Sequence, residues 1–276
     1  MTDAKNSTFD ATNIAVLGGG QIGEALIAGV LAGGRDPQTL TVTNRSVEKQ
    51  NYFADTYGVP TTADNTAAVK GAGVVFACVK PYAIEDLLRE VGEHLEPNAV
   101  VVSMAAGLTL TALEGALPAD TAVVRVMPNT PMLVGAGMNA CVPGTAASQE
   151  DMDGVAELLG AVGDVVVVAE KDMDAVTALS GSSPAYFFLV TEALIDAGVN
   201  LGLTRDVAQQ LATSAAAGAG AMLKDSGKDP VTLRANVSSP GGTTVAALRE
   251  LEESGIRGAF FRAAQACADR SRELGD

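Results

Sequence analysis

The sequence predicts two successive architectures, a doubly wound α/β half followed by an all-α half. From Asn13 to about Val168, short β-branched runs alternate with helical stretches, the order that builds a parallel sheet with helices on both faces. Several of these runs are apolar throughout, as strands covered on both faces are. After about Glu170 the strand signal stops and only helical patterning continues. The expected organisation is a flexible start over residues 1–12, an α/β domain over 13–170 and a helical domain over 171–276.

Each element has a local reason. Strands are expected over 13–17, 40–43, 74–79, 99–103, 122–127, 138–142 and 164–168, where Val, Ile and Leu cluster. Helices are expected between them over 20–32, 47–57, 82–93, 110–117 and 148–159. In the second half, a long helix over 183–200 carries Tyr186, Phe187, Phe188, Leu189 and Leu194 and is ended by Gly202. A second, over 205–223, is entered through Thr204 as its N-cap. Its run from Thr213 to Gly220 is all small residues, which lets other backbones approach closely. Shorter helices follow over 231–236, 243–253 and 256–273.

Composition excludes several classes. Apolar residues make up 47% of the 276, enough for a buried core. Aromatics are only 4% and Trp is absent, so that core is built from Ala, Val and Leu. No apolar run is long enough to span a bilayer, and residues 1–12 lack the basic start and apolar centre of a secretory signal. Three widely spaced cysteines, Cys78, Cys141 and Cys267, form neither a disulfide scaffold nor a zinc-ligand pattern. They read as small buried hydrophobes in a reducing, cytoplasmic setting, with no metal and no membrane expected. The net charge of -15 would repel a phosphate backbone, so nucleic acid is not an expected partner. The scattered acids fit either an ordinary acidic protein or a surface adapted to high salt.

The run Gly18-Gly19-Gly20-Gln21-Ile22-Gly23 follows the first strand and opens the first helix. It satisfies G-x-G-x-x-G at Gly18, Gly20 and Gly23. The first glycine makes a tight turn, the second admits a pyrophosphate against the backbone, and the third allows close helix packing. Unpaired N–H groups at the helix start then face the phosphates. The end of the second strand indicates which dinucleotide. NAD sites usually carry a carboxylate there, whereas this chain has Thr43-Asn44-Arg45-Ser46. The absence of a carboxylate and the presence of the Arg45 guanidinium favour NADPH over NADH.

Four further loops stand out. Asn236-Val237-Ser238-Ser239-Pro240-Gly241-Gly242-Thr243-Thr244 precedes a helix. Its hydroxyls either cap that helix or, with the glycine amides, form a carboxylate-sized anion pocket. Arg125 to Pro131 and Val79-Lys80-Pro81 leave the carboxyl ends of strands, where open α/β sheets bind ligands. Ser180-Gly181-Ser182-Ser183-Pro184-Ala185-Tyr186 enters the long helix with Pro near its first turn.

Taken together these segments resemble the pyrroline-5-carboxylate reductases, over residues 13 to 273 or so. The run from Ser238 to Thr244, continuing through Ala247-Leu248, is the most specific match; Ser183, where the family usually has Gly, departs from it. The resemblance implies a Rossmann-like NADP-binding domain followed by an all-α dimerisation domain that interlocks two subunits, with dimers that often assemble into decamers. It implies NADPH-dependent reduction of the cyclic imine 1-pyrroline-5-carboxylate to L-proline. By the same match, Ser239 and the Gly241-Gly242-Thr243 backbone would hold the substrate carboxylate, and Thr244 would hydrogen-bond the ring nitrogen. Ser239 and Thr244 are thus the catalytic candidates. Gln21, Ile22, Asn44, Arg45, Ser46, Asn65, Val79, Lys80, Pro81, Ala105, Met127, Pro128 and Asn129 would join Gly18, Gly20 and Gly23 around the cofactor.

The chemistry is consistent with the rest of the chain. A protonated imine is already electrophilic, so hydride transfer to it needs position more than a strong side-chain acid. The only histidine, His94, lies in a charged Glu93-His94-Leu95-Glu96 stretch that reads as surface. Two other readings share the architecture. One is another NADP-dependent reductase, such as a β-hydroxyacid dehydrogenase or an imine reductase; the former usually needs a lysine early in the long helix, which here begins Ser182-Ser183-Pro184. A non-catalytic NADPH sensor would have no use for the substrate loop.

Overall fold

The computed structural model describes residues 9–275. By contacts the chain forms two units: the first runs to Gly181 and takes up the chain again from Cys267, and the second is Ser182–Ala266.

The first unit is built on one eight-stranded sheet in the order β3-β2-β1-β4-β5-β6-β7-β8. The strands are β1 (Ile14–Leu17), β2 (Leu40–Thr43), β3 (Thr61–Thr62), β4 (Val74–Ala77), β5 (Val100–Ser103), β6 (Ala122–Met127), β7 (Gly137–Pro143) and β8 (Gly163–Val167). Helices α1 (Gln21–Ala32), α2 (Val47–Tyr57), α3 (Asn65–Val69), α4 (Ile84–Val91), α5 (Leu110–Gly115) and α6 (Gln149–Gly160) connect them, and α7 (Met173–Val176) follows β8. Strands β1, β4 and β5 are buried at every position, as their unbroken apolar runs require. The core splits into two layers, one on each face. Val16, Val42, Phe76 and Val102 pack with Leu26 and Ile27 of α1; Leu17, Val75 and Val101 pack with Leu87 and Leu88 of α4.

The sheet is not wholly parallel. Strand β7 runs antiparallel to β6, with Arg125 opposite Val142, while β8 lies parallel to β7. The connection from β6 to β7 holds only a 3-10 turn, Thr130–Val134. A parallel return needs a longer crossover, so the chain doubles back.

The expected domain limits also shift. Residues 1–8 of the expected flexible start lie outside the described residues. Residues 9–12 are tied to the first unit: Arg35 Nη1 donates to the Ala11 carbonyl at 2.6 Å, and Phe9 lies against Gly154. Residues 171–181 and 267–275, placed by sequence in the helical half, belong to the first unit. At its end Arg272 reaches Asp174 at 3.7 Å.

The second unit is helical throughout. It comprises α8 (Ser183–Asn200), α9 (Arg205–Asp225), α10 (Pro230–Asn236), α11 (Thr243–Glu253) and the first part of α12 (Ile256–Gly275). Helices α8 and α9 approach closely at Gly198, where a Cβ would lie 3.0 Å from Ala208, but the expected close packing of the small-residue run is not seen in the single chain, where nothing lies within 4 Å of a Cβ at Gly218 or Gly220. Much of its apolar surface is open in the single chain, with Phe187, Phe188 and Leu189 each about two-thirds exposed. Among the described residues no helix is long and apolar enough to cross a membrane.

Candidate active site

The glycine turn between β1 and α1 is set by steric limits. Gly18 has φ +102°, and a Cβ there would lie 2.9 Å from Val79 Cγ1, so only glycine is tolerated. Its N–H donates to Thr43 Oγ1 at 3.2 Å, and Gly19 N–H donates to the Thr43 carbonyl at 3.1 Å, which pins the turn to β2. A side chain at Gly23 would run into the Gly18 carbonyl oxygen. Gly20 differs, because nothing lies within 4 Å of where its Cβ would be. It is the N-cap of α1, and no side chain caps that helix. The first-turn N–H groups are therefore left for a ligand.

This turn opens into a cleft of about 820 Å³ in the first unit. The wall above β2 carries Asn44, Arg45 and Lys49; Val79, Lys80 and Pro81 leave β4; Asn65 and Glu90 come from α3 and α4; Ala105 follows β5. These elements end here because their strands all terminate at the sheet's carboxyl edge, the usual ligand position of such folds. Arg45, Lys49 and Lys80 make no ion pair among the described residues, whereas Arg89, Arg125, Arg205 and Arg257 each hold a carboxylate. Three uncommitted cations in one cleft of a chain with net charge -15 make it a local anion site. The buried Asn44 Nδ2 has no hydrogen-bond partner among the described residues. Such a donor is costly unless a ligand completes it. The open Gly20 backbone, the uncapped helix, the free cations and this donor together fit a phosphorylated dinucleotide.

Lys49 is missing from the sequence reading. The available signal was a second cation four residues beyond Arg45, in the first turn of the expected helix over 47–57. Conversely, several expected cofactor residues do not line the cleft. Gly23 lies behind the turn. Ser46 caps α2, accepting from Lys49 N–H. Met127 lies against Gly181, and Pro128 is buried. Asn129 spends its whole amide on the protein: Nδ2 donates to the Ser180 carbonyl at 3.2 Å, and Oδ1 accepts from Met138 N–H at 2.9 Å. It clasps the loop after β6 to a π-helical turn, Thr177–Gly181. No local pattern announces partners so far along the chain. Arg125, which lies both in the expected strand over 122–127 and at the head of that loop, is a buried residue of β6 whose Nη1 pairs with Glu170 Oε1 at 2.6 Å.

In the second unit, the segment 237–242 joins α10 to α11. Ser238 is used locally, its Oγ donating to the Arg234 carbonyl at 2.6 Å. Gly241 takes φ +69°, and Gly242 N–H donates to the Ser239 carbonyl at 2.9 Å, closing the turn. The N-cap of α11 is Gly242, with no side-chain cap. The capping alternative for these hydroxyls is thereby excluded. Ser239, Thr243 and Thr244 have no side-chain hydrogen bond among the described residues, which leaves them and the first-turn N–H groups of α11 available to an anion.

Burial pushes the thiols of Cys78, at the cleft, and Cys141, in β7, up to about 12. Both are held as neutral thiols well above neutrality. The folded values exceed the 9.0 of an unburied thiol, so their contribution to stability is complete below pH 9 and is lost as pH rises toward 12. We expect the Tm to be flat up to about pH 9 and to fall above it, with a shallower fall in a Cys78→Ala/Cys141→Ala variant; calorimetry across that range checks this. His94 is exposed at the end of the 3-10 turn Gly92–His94, away from the cleft lining. Among the described residues no group of three or more His, Cys, Asp or Glu is arranged to hold a metal ion.

Two family models match the chain. One, described as pyrroline-5-carboxylate reductase dimerisation, covers residues 170–274. The other, described as NADP oxidoreductase coenzyme F420-dependent, covers residues 13–107. A pyrroline-5-carboxylate reductase of Corynebacterium melassecola is 59% identical, over 96% of this chain and 99% of its own length. The chain belongs to the pyrroline-5-carboxylate reductase family. Solved structures of such reductases share its fold. That from Coxiella burnetii is 36% identical with a TM-score of 0.92, covering 97% of this chain and 100% of its own. The pyrroline carboxylate reductase of Plasmodium falciparum, solved with NADP bound, is 28% identical with a TM-score of 0.85, covering 96% and 98%. The reductase dimerisation model begins at Glu170, where helical patterning begins in the sequence, whereas contacts keep the chain in the first unit to Gly181.

Proposed function

We propose that this chain is an NADPH-dependent reductase that converts 1-pyrroline-5-carboxylate to L-proline, the last step of proline synthesis, with NADH as the poorer donor. The observation that carries this reading is the cleft at Gly18–Ile22, with its uncommitted cations and orphaned Asn44 amide, in a chain that matches such a reductase end to end.

In this reading the α1 N-terminus holds the pyrophosphate, and Asn44 and Arg45 hold the 2′-phosphate side of the adenosine ribose. Val79, Lys80, Pro81 and Ala105 line the cofactor's path. Met127 and Pro128 do not line the cleft; the family resemblance implies that they stand beside the nicotinamide, next to the loop that Asn129 clasps to Ser180. The bound dinucleotide supplies the hydride that the imine carbon receives. The chain's own residues orient the substrate: Ser239 and the Gly241-Gly242-Thr243 backbone take the carboxylate, and the Thr244 hydroxyl bonds the ring nitrogen and fixes which ring face is presented. No side chain has to act as a strong acid, because the protonated imine is already electrophilic.

Thr244→Ala is expected to remove one oriented hydrogen bond worth about 1–3 kcal/mol, lowering kcat/KM roughly 5- to 150-fold. Unchanged kinetics would remove Thr244 from the mechanism. The reading as a whole is tested by following NADPH absorbance with 1-pyrroline-5-carboxylate, then repeating with NADH. Saturable oxidation supports it; cofactor binding without turnover of the imine overturns it in favour of a sensor.

Self-association belongs to the same reading. Phe187, Phe188 and Leu189 leave a run of three large apolar side chains open to water, the kind of exposure that marks an interaction surface. A homodimer covers it, and a decamer assembled from such dimers is the larger assembly the family resemblance implies. The enzyme works on a small-molecule substrate in the cytoplasm, without nucleic acid or membrane partners.

A further inference from the structure

The cleft has a second wall that differs in chemistry from the cationic one. Asn65 opens α3 and Glu90 lies near the end of α4; both line the cleft. Asn65 Nδ2 lies 3.3 Å from each carboxylate oxygen of Glu90. An ionised carboxylate only accepts hydrogen bonds, so it can pair only with the amide nitrogen. The Asn65 side chain is thereby held in one orientation, with one Nδ2 hydrogen directed at the carboxylate and Oδ1 and the second hydrogen left for a ligand. The start of α3 does not compete for Asn65, because Asp64 caps that helix, accepting from Ala67 N–H at 3.0 Å.

We propose that Glu90 is a positioning residue that fixes which way the Asn65 amide is turned, so that Asn65 Oδ1 is presented as an acceptor to a cofactor hydroxyl or amino group. This rests on the dinucleotide reading of the cleft. The cleft then divides its labour. Arg45, Lys49 and Lys80 offer charge to phosphate, whereas the Asn65 Oδ1 acceptor beside the Glu90 carboxylate suits a donor, such as a ribose hydroxyl or the adenine amino group, better than a phosphate. The Asn65 contact is common to NADH and NADPH. Its loss weakens both cofactors alike, unlike loss of a phosphate contact, which discriminates between them.

The test is a double-mutant cycle read by the fluorescence of NADH on binding, which needs no turnover. Glu90→Ala is expected to raise the Kd for NADH about five-fold, as loss of one oriented hydrogen bond does. Glu90→Gln, whose carbonyl can still accept from Asn65 Nδ2, should stay within about two-fold of the parent. In an Asn65→Ala background, Glu90→Ala should add nothing, because residues acting through one contact are not additive. An undiminished Glu90→Ala effect in that background, or no effect in the parent, overturns the proposal while leaving the reductase reading intact. A parent chain that binds neither NADH nor NADPH overturns both. Glu90 is exposed, so both substitutions leave the core untouched, and the Asn65→Ala arm supplies the comparison if either variant folds poorly.

Discussion

Arg45→Ala is expected to lower kcat/KM with NADPH by about 10-fold or more, and up to roughly 100-fold at low salt, while NADH turnover stays within about two-fold. The guanidinium is exposed at the start of α2 and holds no carboxylate among the described residues. Its charge is therefore available to a 2′-phosphate, and NADH carries none. Exposure makes the contact salt-sensitive. The parent's preference for NADPH should thus shrink as ionic strength rises, and the variant's should barely move. Lys49 lines the same cleft and retains part of the attraction, which keeps the loss finite. Steady-state kinetics with both cofactors at two salt concentrations give the answer. Equal losses with NADPH and NADH would show that Arg45 does not read the phosphate.

The second large effect concerns stability. Glu170→Ala leaves the Arg125 guanidinium buried and unpaired in β6, where its side chain is only 7% exposed. The variant also frees the Leu110 N–H that Glu170 Oε1 accepts at 2.9 Å. Breaking one side of such a pair costs about 3–5 kcal/mol, which for a chain of this length lowers the Tm by roughly 6–15 °C. Replacing both partners with apolar residues, Arg125→Met/Glu170→Leu, should be much less harmful, since it buries no uncompensated charge. Denaturant titration of the three proteins distinguishes these cases. A Glu170→Ala variant within about 0.5 kcal/mol of the parent would show that the pair is not structural. The site is already imperfectly satisfied: Arg125 Nε and Glu170 Oε2 are buried without partners among the described residues.

Long periodic elements were legible in the sequence. Helix α8 spans Ser183–Asn200, α2 spans Val47–Tyr57 and α11 spans Thr243–Glu253, because apolar spacing and end signals agree at those places. Short elements were not. Strand β3 is two threonines, α3 is five residues, and the Thr177–Gly181 π-turn follows no spacing the eye looks for. The expected helix over 82–93 resolved into α4 flanked by 3-10 turns at Pro81–Ala83 and Gly92–His94. Proline restricts its own φ and donates no N–H, so the chain tightens before α4 begins.

By itself the sequence determined the order of the elements, the turn at Gly18–Gly23 and the glycine-rich loop before α11. These are local demands: a positive φ, a missing Cβ, an uncapped helix start and an apolar period are each written within a few adjacent residues. Only the tertiary structure decided the reversed direction of β7, the return of the chain from Cys267 to the first unit, and the use of Asn129 as a clasp. It alone brought Asn65 to Glu90, 25 residues away, and placed Lys49 and Lys80 in one cleft. Such partnerships depend on which surfaces meet after the sheet has formed, and neither partner's neighbours in the chain carry a trace of the other.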